Sequence, residues 1–328
     1  MAGSGMVQLR DEPMLLRIEH LVVNYPVGRH TVQAVSNVSL DIAPGETLGL
    51  VGESGCGKST LGRSLLRLQH CNGGKVLFGG EDLMLQDAAA MRRLRRRLQL
   101  IFQDPIGSLN PRRKVGDIVA EPLIIAGVKD RAVRDRRVRE VLNAVGLEPD
   151  LVINRRPHEF SGGQCQRICI ARALVLEPEL LVCDEPVSAL DVSIRAQILN
   201  LLEEMKTRYG LTLLFIAHDL AVVKAVSDRV AVMYLGKLCE VGPTEQLYRS
   251  PAHPYTALLL EAIPVPDPEV TPAEELALGE PPSPIDPPSG CRFRTRCPRA
   301  QARCAAEEPE MRTVAPGQHV ACHFPLLN

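Results

Sequence analysis

The chain has 328 residues, enough for about two domains and a substantial hydrophobic core. Its 38 Lys and Arg residues nearly balance 39 Asp and Glu residues, the net charge is −1, and 45% of the residues are apolar. This composition argues against nucleic-acid binding through bulk positive charge and excludes disorder as the main state. Apolar runs all fall short of the ~18–20 residues that cross a bilayer, and no apolar signal segment precedes the first acidic residues. We therefore expect a protein made and kept in the cytoplasm.

Cysteine and proline are distributed unevenly along the chain. Four of the ten cysteines lie in the last forty residues, and 15 of the 26 prolines lie at or after Pro251. A composition shift of this kind indicates a boundary near residue 260. Before it we predict a globular domain, and after it a proline-rich tail with too few apolar residues to fold by burial alone.

Strands and helices alternate through the first 217 residues. Strands are predicted at residues 15–25, 31–42, 46–51, 75–78, 98–103, 180–183 and 212–217. Helices are predicted from about Lys58, at a basic stretch around 91–97, and at 193–209, with a mostly helical insertion at 118–173. The alternation predicts a largely parallel sheet covered by helices on both faces.

A glycine-rich phosphate-binding motif follows the strand at 46–51. It has the pattern G-x-x-x-x-G-K-S and consists of Gly52, Glu53, Ser54, Gly55, Cys56, Gly57, Lys58, Ser59 and Thr60. Glycines let the backbone wrap a phosphate chain, while consecutive N–H groups and a helix N-terminus supply a positive field. In this motif Lys58 reaches the β- and γ-phosphates and Ser59 holds Mg²⁺. We expect Cys56 to contribute its backbone only.

Two carboxylates end the apolar strand at 180–183. Asp184 is predicted to bind the Mg²⁺ shell, and Glu185 to polarise the water that attacks the γ-phosphate. Alone, two acidic residues after a strand are more often a solvated loop. The phosphate loop about 125 residues earlier makes the catalytic interpretation the better one.

Further motifs resemble those of the ATP-binding-cassette (ABC) ATPases, in the order of that family and over roughly residues 15–328. They are the signature turn Ser161, Gly162, Gly163 and Gln164, the Q-loop Gln103, the D-loop Asp191, the switch His218 and, at the adenine-stacking position, Tyr25. Phe160 stands where many relatives carry leucine. The resemblance implies a P-loop α/β fold, with a RecA-like core, an antiparallel β subdomain, an α-helical subdomain and a cysteine-containing C-terminal extension.

Within that family the chain resembles the oligopeptide and dipeptide importers, nearest to their second ATPase subunit. The similar segments are FSGGQCQRICIARAL, CDEPVSALDVSI, FIAHDLAVV, HPYTALLLEAIP and QDPIGSLNP. The resemblance implies a peripheral protein on the cytoplasmic face of the inner membrane. Its partners would be two permease subunits, a second and different ATPase chain, and an extracytoplasmic peptide-binding protein, with no nucleic acid.

The resemblance also implies how ATP is bound and hydrolysed. Two ATPase chains would face each other, with Ser161 and Gly163 of one donating hydrogen bonds to ATP held by the other. His218 would hold the γ-phosphate and the attacking water, with Glu185 as the base. Gln103 would join Ser59 and Asp184 around Mg²⁺ and couple the site to the membrane subunits.

Four cysteines of the tail suggest a metal site. Cys291, Cys297, Cys304 and Cys322 are separated by five, six and seventeen residues. Both zinc and an iron–sulfur cluster accept four thiolates, and the spacing is neither that of a zinc ribbon nor that of bacterial ferredoxins. Four free thiols are the remaining interpretation. The resemblance to peptide-importer ATPases favours a [4Fe-4S] cluster.

Three segments are therefore predicted: an N-terminal tail at 1–14, an ABC ATPase domain at 15–260 with its helical subdomain at about 110–175, and an extension at 261–328. The alternative function is a soluble ABC ATPase that acts on DNA or ribosomes. Such proteins usually carry two cassettes, a long coiled-coil arm or inserted zinc modules, which this sequence lacks. A phosphotransfer kinase with the same loop would not explain residues 161–164 or His218.

Overall fold

The structure, a computed structural model, describes residues 6–263 and 280–326. It divides into two compact units, Met1–Met84 with Ala217–Asn328 and Leu85–Ile216. Within the described ranges, no helix combines the length and the apolar character that a membrane span requires.

The first unit contains two sets of paired strands. Its strands are β1 (Leu16–Val27), β2 (His30–Ile42), β3 (Thr47–Val51), β4 (Gly73–Phe78), β5 (Glu81–Asp82), and later in the chain β9 (Arg229–Tyr234), β10 (Lys237–Pro243), β11 (Arg312–Ala315) and β12 (Gln318–Val320). Strands β2, β1, β4 and β5 form an antiparallel sheet in that order. The others follow the order β11, β12, β10, β9, β3, in which only the β3–β9 pair is parallel.

The helices of the first unit are short. Helix numbers follow the chain, so α2 to α7 belong to the second unit. The helices of the first unit are α1 (Lys58–Leu65), α8 (Leu220–Val226), α9 (Thr244–Arg249), α10 (Pro254–Glu261) and α11 (Ala302–Ala306). Asp219 caps α8 by accepting hydrogen bonds from the N–H groups of Ala221 and Val222.

The second unit consists of three parallel strands and most of the helices. Its elements are α2 (Ala88–Leu94), β6 (Leu98–Ile101), α3 (Val115–Ile125), α4 (Arg131–Ala144), α5 (Pro149–Val152), α6 (Gly162–Leu174), β7 (Leu180–Asp184), α7 (Val192–Tyr209) and β8 (Thr212–Ile216). Strand β7 lies between β6 and β8 and is buried along its whole length. Helices α3 to α6 confirm the predicted helical insertion. In the basic stretch Arg92, Arg93 and Arg96 are exposed, whereas Met91 and Leu94 are buried, as expected of a helix with one solvated face.

The largely parallel sheet predicted from the alternation is correct for β3, β9 and the strands of the second unit, and wrong for the rest. The antiparallel β subdomain that the resemblance implies is confirmed by the sheet of β2, β1, β4 and β5. Pairs β1–β2, β9–β10 and β11–β12 are joined by turns of two residues, and a turn this short can only connect antiparallel strands. Strands β9 to β12 were not predicted. One cause is the fully buried Glu240 in β10, which interrupts the apolar pattern of that strand.

Glu240 connects residues 280–326 to the rest of the first unit through hydrogen bonds. Its carboxylate accepts hydrogen bonds from the backbone N–H groups of Ala252 and His253, both at 2.8 Å, and from Nε2 of Gln318 at 2.7 Å. Phe293 is also buried. Residues 280–326 therefore pack on the rest of the first unit, because β12 pairs with β10 and fills a place in an existing core. That the tail cannot fold by burial alone stays a prediction.

His253 is expected to make stability depend on pH. Its Nδ1 accepts the N–H of Tyr255 at the start of α10, and burial lowers the pKa of its imidazole to about 3. An unfolded histidine takes up a proton below about pH 6.5, whereas the buried one stays neutral, so stability falls as pH drops through 6.5. Between pH 7 and pH 5 His253 should remove about 2 kcal/mol from the free energy of unfolding, measured by urea denaturation.

A His253→Asn variant keeps a capping acceptor and cannot titrate in this range, so its unfolding free energy should lose that part of the pH dependence. His20→Asn is the matched control, since His20 is an exposed histidine and its removal should leave the dependence in place. Equal pH slopes for the wild type and His253→Asn would contradict the assignment.

Candidate nucleotide site

The phosphate loop lies between β3 and α1 in the first unit, at the strand-to-helix junction that the sequence predicts. Gly55 and Gly57 adopt φ angles of +77° and +106°. A Cβ on Gly57 would lie 2.0 Å from the backbone oxygen of Ala34, and a Cβ on Gly52 would lie 2.1 Å from that of Met233. Only glycine fits at positions 52 and 57 without moving backbone.

Lys58 is folded back over this loop. Its side chain is almost fully buried, and Nζ donates to the carbonyl oxygens of Gly52 at 2.6 Å and Glu53 at 2.9 Å. An ammonium group held by neutral carbonyls can exchange them for the more strongly attracting oxygens of a phosphate chain. The arrangement suits a site that binds an anionic ligand.

Cys56 contributes no reactive thiol to this loop. Its side chain is 3% exposed, and burial raises the pKa of its thiol. Cys165, Cys169 and Cys183 are likewise buried, and burial raises their pKa values too. All four therefore behave as small buried groups and not as reactive thiols.

Tyr25 and His218 also belong to the first unit. Tyr25 lies half-buried on β1, with its hydroxyl 3.5 Å from Oγ1 of Thr60 at the end of the phosphate-loop motif. His218 is exposed and directly precedes the capping Asp219 of α8. Tyr25 therefore lies close to the phosphate-loop motif.

The two predicted catalytic carboxylates end β7 in the second unit. Asp184 is fully buried. Glu185 has a φ of +49°, a left-handed conformation that is rare for a residue with a Cβ, and its N–H donates to the oxygen of Ile216. Nε2 of Gln103 donates to Oε2 of Glu185 at 2.9 Å, so two predicted site residues meet. Strained backbone of this kind is concentrated at functional sites.

The signature turn begins α6 with a capping box. The Ser161 N–H donates to Oε1 of Gln164, and the Gln164 N–H donates to Oγ of Ser161. Ser161 is exposed. A Cβ on Gly163 would lie 2.5 Å from Cγ2 of Ile194, whereas one on Gly162 would meet nothing closer than 3.7 Å. Helix α7 therefore packs directly against the turn.

Residues next to the signature turn and in the D-loop also belong to the second unit. Phe160, which departs from the usual leucine, has the guanidinium of Arg155 4.6 Å from its ring centroid. In the D-loop, Oγ of Ser188 donates to the backbone oxygen of Glu185, and Asp191 precedes α7 as an exposed residue. The unit thus presents a carboxylate–amide pair and an exposed serine–glycine turn.

The four tail cysteines line one small cavity, together with His253 and Phe293 among others. Burial raises the pKa of the Cys291 and Cys322 thiols to about 11. The predicted metal centre is not supported by the placement of these side chains. Across residues 6–263 and 280–326, no three His, Cys, Asp or Glu side chains are grouped so that they could hold a metal ion.

Sequence comparison places the chain in a known family. The family model "ABC transporter" matches residues 35–188, and "Oligopeptide/dipeptide transporter, C-terminal region" matches residues 239–304. The chain is 52% identical to the oligopeptide transport ATP-binding protein OppF of Salmonella typhimurium, over 92% of this chain and 93% of that protein. The chain belongs to the ABC transporter ATPases. It is 48% identical to OppF of Haemophilus influenzae, over 97% of this chain and 99% of that protein.

Solved structures agree with this assignment of the ABC ATPase. A dimeric post-hydrolysis state of the ATP-binding cassette MJ0796, bound to ADP and Pi, superposes with a TM-score of 0.64 at 28% identity, covering 70% of this chain and 98% of that one. CbiO1 from Clostridium perfringens, part of an ABC transporter complex, gives the same TM-score at 29% identity, covering 73% and 92%. The predicted P-loop fold and ATPase activity are confirmed.

The sequence does not single out Glu53 of the phosphate loop or the two residues that contact it, Tyr255 and Arg296. Glu53 occupies a variable position of the motif, Tyr255 lies in the segment HPYT, and Arg296 lies in the tail. The proximity of HPYT to the cysteine-rich tail was visible in the sequence. That both segments contact the loop was not, because more than 200 residues separate them from it.

Proposed function

We propose that this ABC ATPase powers import of oligopeptides or dipeptides across the cytoplasmic membrane. This proposal rests on the similarity to two oligopeptide transport ATP-binding proteins. The chain is 48–52% identical to them over nearly its whole length and nearly theirs. The match of residues 239–304 to the C-terminal region of oligopeptide/dipeptide transporters supports the same cargo.

In the proposed site, the phosphate loop binds the triphosphate through its backbone N–H groups and Lys58. The hydroxyl of Ser59, the amide oxygen of Gln103 and the carboxylate of Asp184 are oxygen donors of the kind that Mg²⁺ prefers. The ion would neutralise charge on the phosphates. Tyr25 would stack on the adenine.

Hydrolysis is assigned to Glu185 and His218. Glu185 would accept a proton from the attacking water, with Nε2 of Gln103 orienting its carboxylate, and His218 would hold the γ-phosphate. The left-handed backbone at Glu185 supports the role, because the fold maintains a strained conformation there.

We assign the signature turn to binding across a dimer. Ser161 is exposed at a helix N-terminus, where N–H groups and the hydroxyl can donate to phosphate oxygens of a facing chain. Gly162, Gly163, Gln164 and Asp191 would lie in the same interface. The facing chain would be a related, different ATPase. ATP-driven closure followed by hydrolysis would then cycle the transporter.

The remaining partners would be two permease subunits and an extracytoplasmic peptide-binding protein, with the ATPase held at the inner face of the membrane. The proposed domains are a tail at 1–14, the ATPase domain at 15–260 with its helical subdomain at about 110–175, and an extension at 261–328. Residues 1–5 of the tail and 264–279 and 327–328 of the extension lie outside the described residues. Ile124 and Ile125 of α3 are 52% and 65% exposed, which supports a protein partner at this helix.

For the extension we infer a [4Fe-4S] cluster held by Cys291, Cys297, Cys304 and Cys322. The four thiols line one cavity but are not grouped around a common centre, so the cluster would require their side chains to turn toward one another. An anaerobic preparation should then contain about four irons per chain and absorb near 400–420 nm, as expected of such clusters. Replacing Cys304, one of the four, by serine should remove both signals, whereas Cys71→Ser should not. Stoichiometric zinc without iron would refute the inference.

The transport proposal is tested by reconstituting the chain in proteoliposomes with the permeases and binding protein from neighbouring reading frames. Peptide should raise the ATPase rate and accumulate inside the vesicles, and free amino acids should do neither. Stimulation by DNA or by ribosomes, with no response to peptide, would favour the alternative function instead.

A further inference from the structure

Arg296, in the C-terminal segment, makes a bidentate ion pair with the phosphate loop. Nη1 lies 2.7 Å from Oε2 of Glu53, and Nη2 lies 2.9 Å from Oε1. The Arg296 side chain is only 7% exposed and that of Glu53 is 25% exposed. Nη1 also contacts the hydroxyl of Tyr234 at 3.3 Å. A two-bond, largely buried guanidinium–carboxylate pair fixes orientation as well as distance.

Tyr255 holds the same loop residue by its backbone. The N–H of Glu53 donates to the Tyr255 hydroxyl at 2.9 Å. The Tyr255 ring is fully buried, and its centroid lies 4.7 Å from that of Tyr234 and 5.2 Å from that of Phe293. Packing on two aromatic neighbours leaves the hydroxyl little freedom to move.

All three polar groups of Glu53 are therefore engaged. Its carboxylate is held by Arg296, its N–H by Tyr255, and its carbonyl oxygen accepts from Nζ of Lys58 at 2.9 Å. The peptide that positions the phosphate-binding lysine is thus anchored by residues more than 200 positions later in the chain.

We propose that Arg296 and Tyr255 are positioning residues for ATP binding, which hold the phosphate loop preformed through Glu53. A preformed loop loses less conformational entropy when it binds phosphate, so the anchors raise affinity. The C-terminal segment therefore sets the affinity of the ATP site. This inference depends on ATP binding by the loop and does not depend on peptide import.

The test measures ATP affinity and turnover of the full chain. Arg296→Ala and Glu53→Gln should each raise the Kd for a fluorescent ATP analogue and the KM for ATP by about tenfold, with kcat at saturating ATP changed less than threefold. Tyr255→Phe, which keeps the ring in the core, should raise KM by a smaller factor. Arg296 and Glu53 act as one pair, so breaking the pair twice should cost no more than breaking it once. The Arg296→Ala/Glu53→Gln double variant should therefore have a Kd for ATP no higher than that of the single variant with the higher Kd.

Arg303→Ala is the matched control. Arg303 pairs with Glu307 in the same segment, but both side chains are more than half exposed, so ATP affinity should not change. Arg296→Lys should recover part of the lost affinity, since it restores one charge but not the second bond. If circular dichroism shows that Arg296→Ala is unfolded, the Kd and KM for ATP of Glu53→Gln and Tyr255→Phe test the proposal instead.

Unchanged KM in folded Glu53→Gln and Tyr255→Phe would overturn the proposal. So would losses that simply add in the Arg296→Ala/Glu53→Gln double variant. Failure of peptide transport in vesicles would leave these binding measurements unaffected, so the two proposals fail separately.

Discussion

Glu185→Gln is expected to bind ATP with the affinity of the wild type and to lose steady-state hydrolysis by about 10²–10⁴-fold, the usual contribution of a positioned base. The amide retains the shape of the carboxylate and can remain in contact with Gln103, whose Nε2 lies 2.9 Å from Oε2 of Glu185. It cannot accept a proton from water. Phosphate release measures the turnover, and equilibrium binding of an ATP analogue measures the affinity.

Glu179→Gln is the control for this prediction. Glu179 also lies in the second unit and pairs with the guanidinium of Arg97, but both side chains are about half exposed. Loss of an exposed pair has little effect on stability, so turnover should stay within about twofold of the wild type. If Glu185→Gln hydrolyses ATP at the normal rate, Glu185 is not the base.

Gly57→Ala is expected to abolish high-affinity ATP binding. The φ of +106° alone costs a residue with a Cβ about 1–2 kcal/mol. If that cost reduces the free energy of ATP binding, the affinity for ATP decreases by about tenfold. The new Cβ would also lie 2.0 Å from the backbone oxygen of Ala34, in strand β2, which cannot rotate away. The loop must therefore change shape. Titration with a fluorescent ATP analogue measures the loss.

Gly80→Ala is the control that separates the steric clash of a new Cβ from the conformational cost of a positive φ. Gly80 has a φ of +85° in the turn between β4 and β5, and a Cβ there would meet nothing within 4 Å. This variant should lose about 1 kcal/mol of stability and keep its ATP affinity. Normal ATP binding by Gly57→Ala would show that the loop does not have the backbone described above.

The local motifs of the ATP site could be predicted from the sequence. Each depends on a few consecutive residues, such as the glycines and Lys58 of the loop or the serine and glutamine of the capping box at 161–164. Sites of this kind are short-range, because backbone conformation and side-chain spacing within one turn determine them. The strand-to-helix junction before Lys58 was predictable for the same reason.

Long-range contacts could not be predicted in this way. Glu240 resembles an exposed acid in the sequence, yet it is fully buried and accepts hydrogen bonds from Ala252, His253 and Gln318. The four tail cysteines suggested a metal site, and the structure brings them to one cavity without grouping them around an ion. Side-chain placement at this level depends on packing of segments that are distant in sequence.

The sequence by itself therefore determined the family, the phosphate loop and the residues expected to perform the chemistry. Only the tertiary structure decided that Arg296 and Tyr255 hold Glu53 of that loop. The physical reason is that a guanidinium–carboxylate pair and a tyrosine–amide hydrogen bond have no preferred sequence separation. They form wherever folding brings the groups together and excludes water from them.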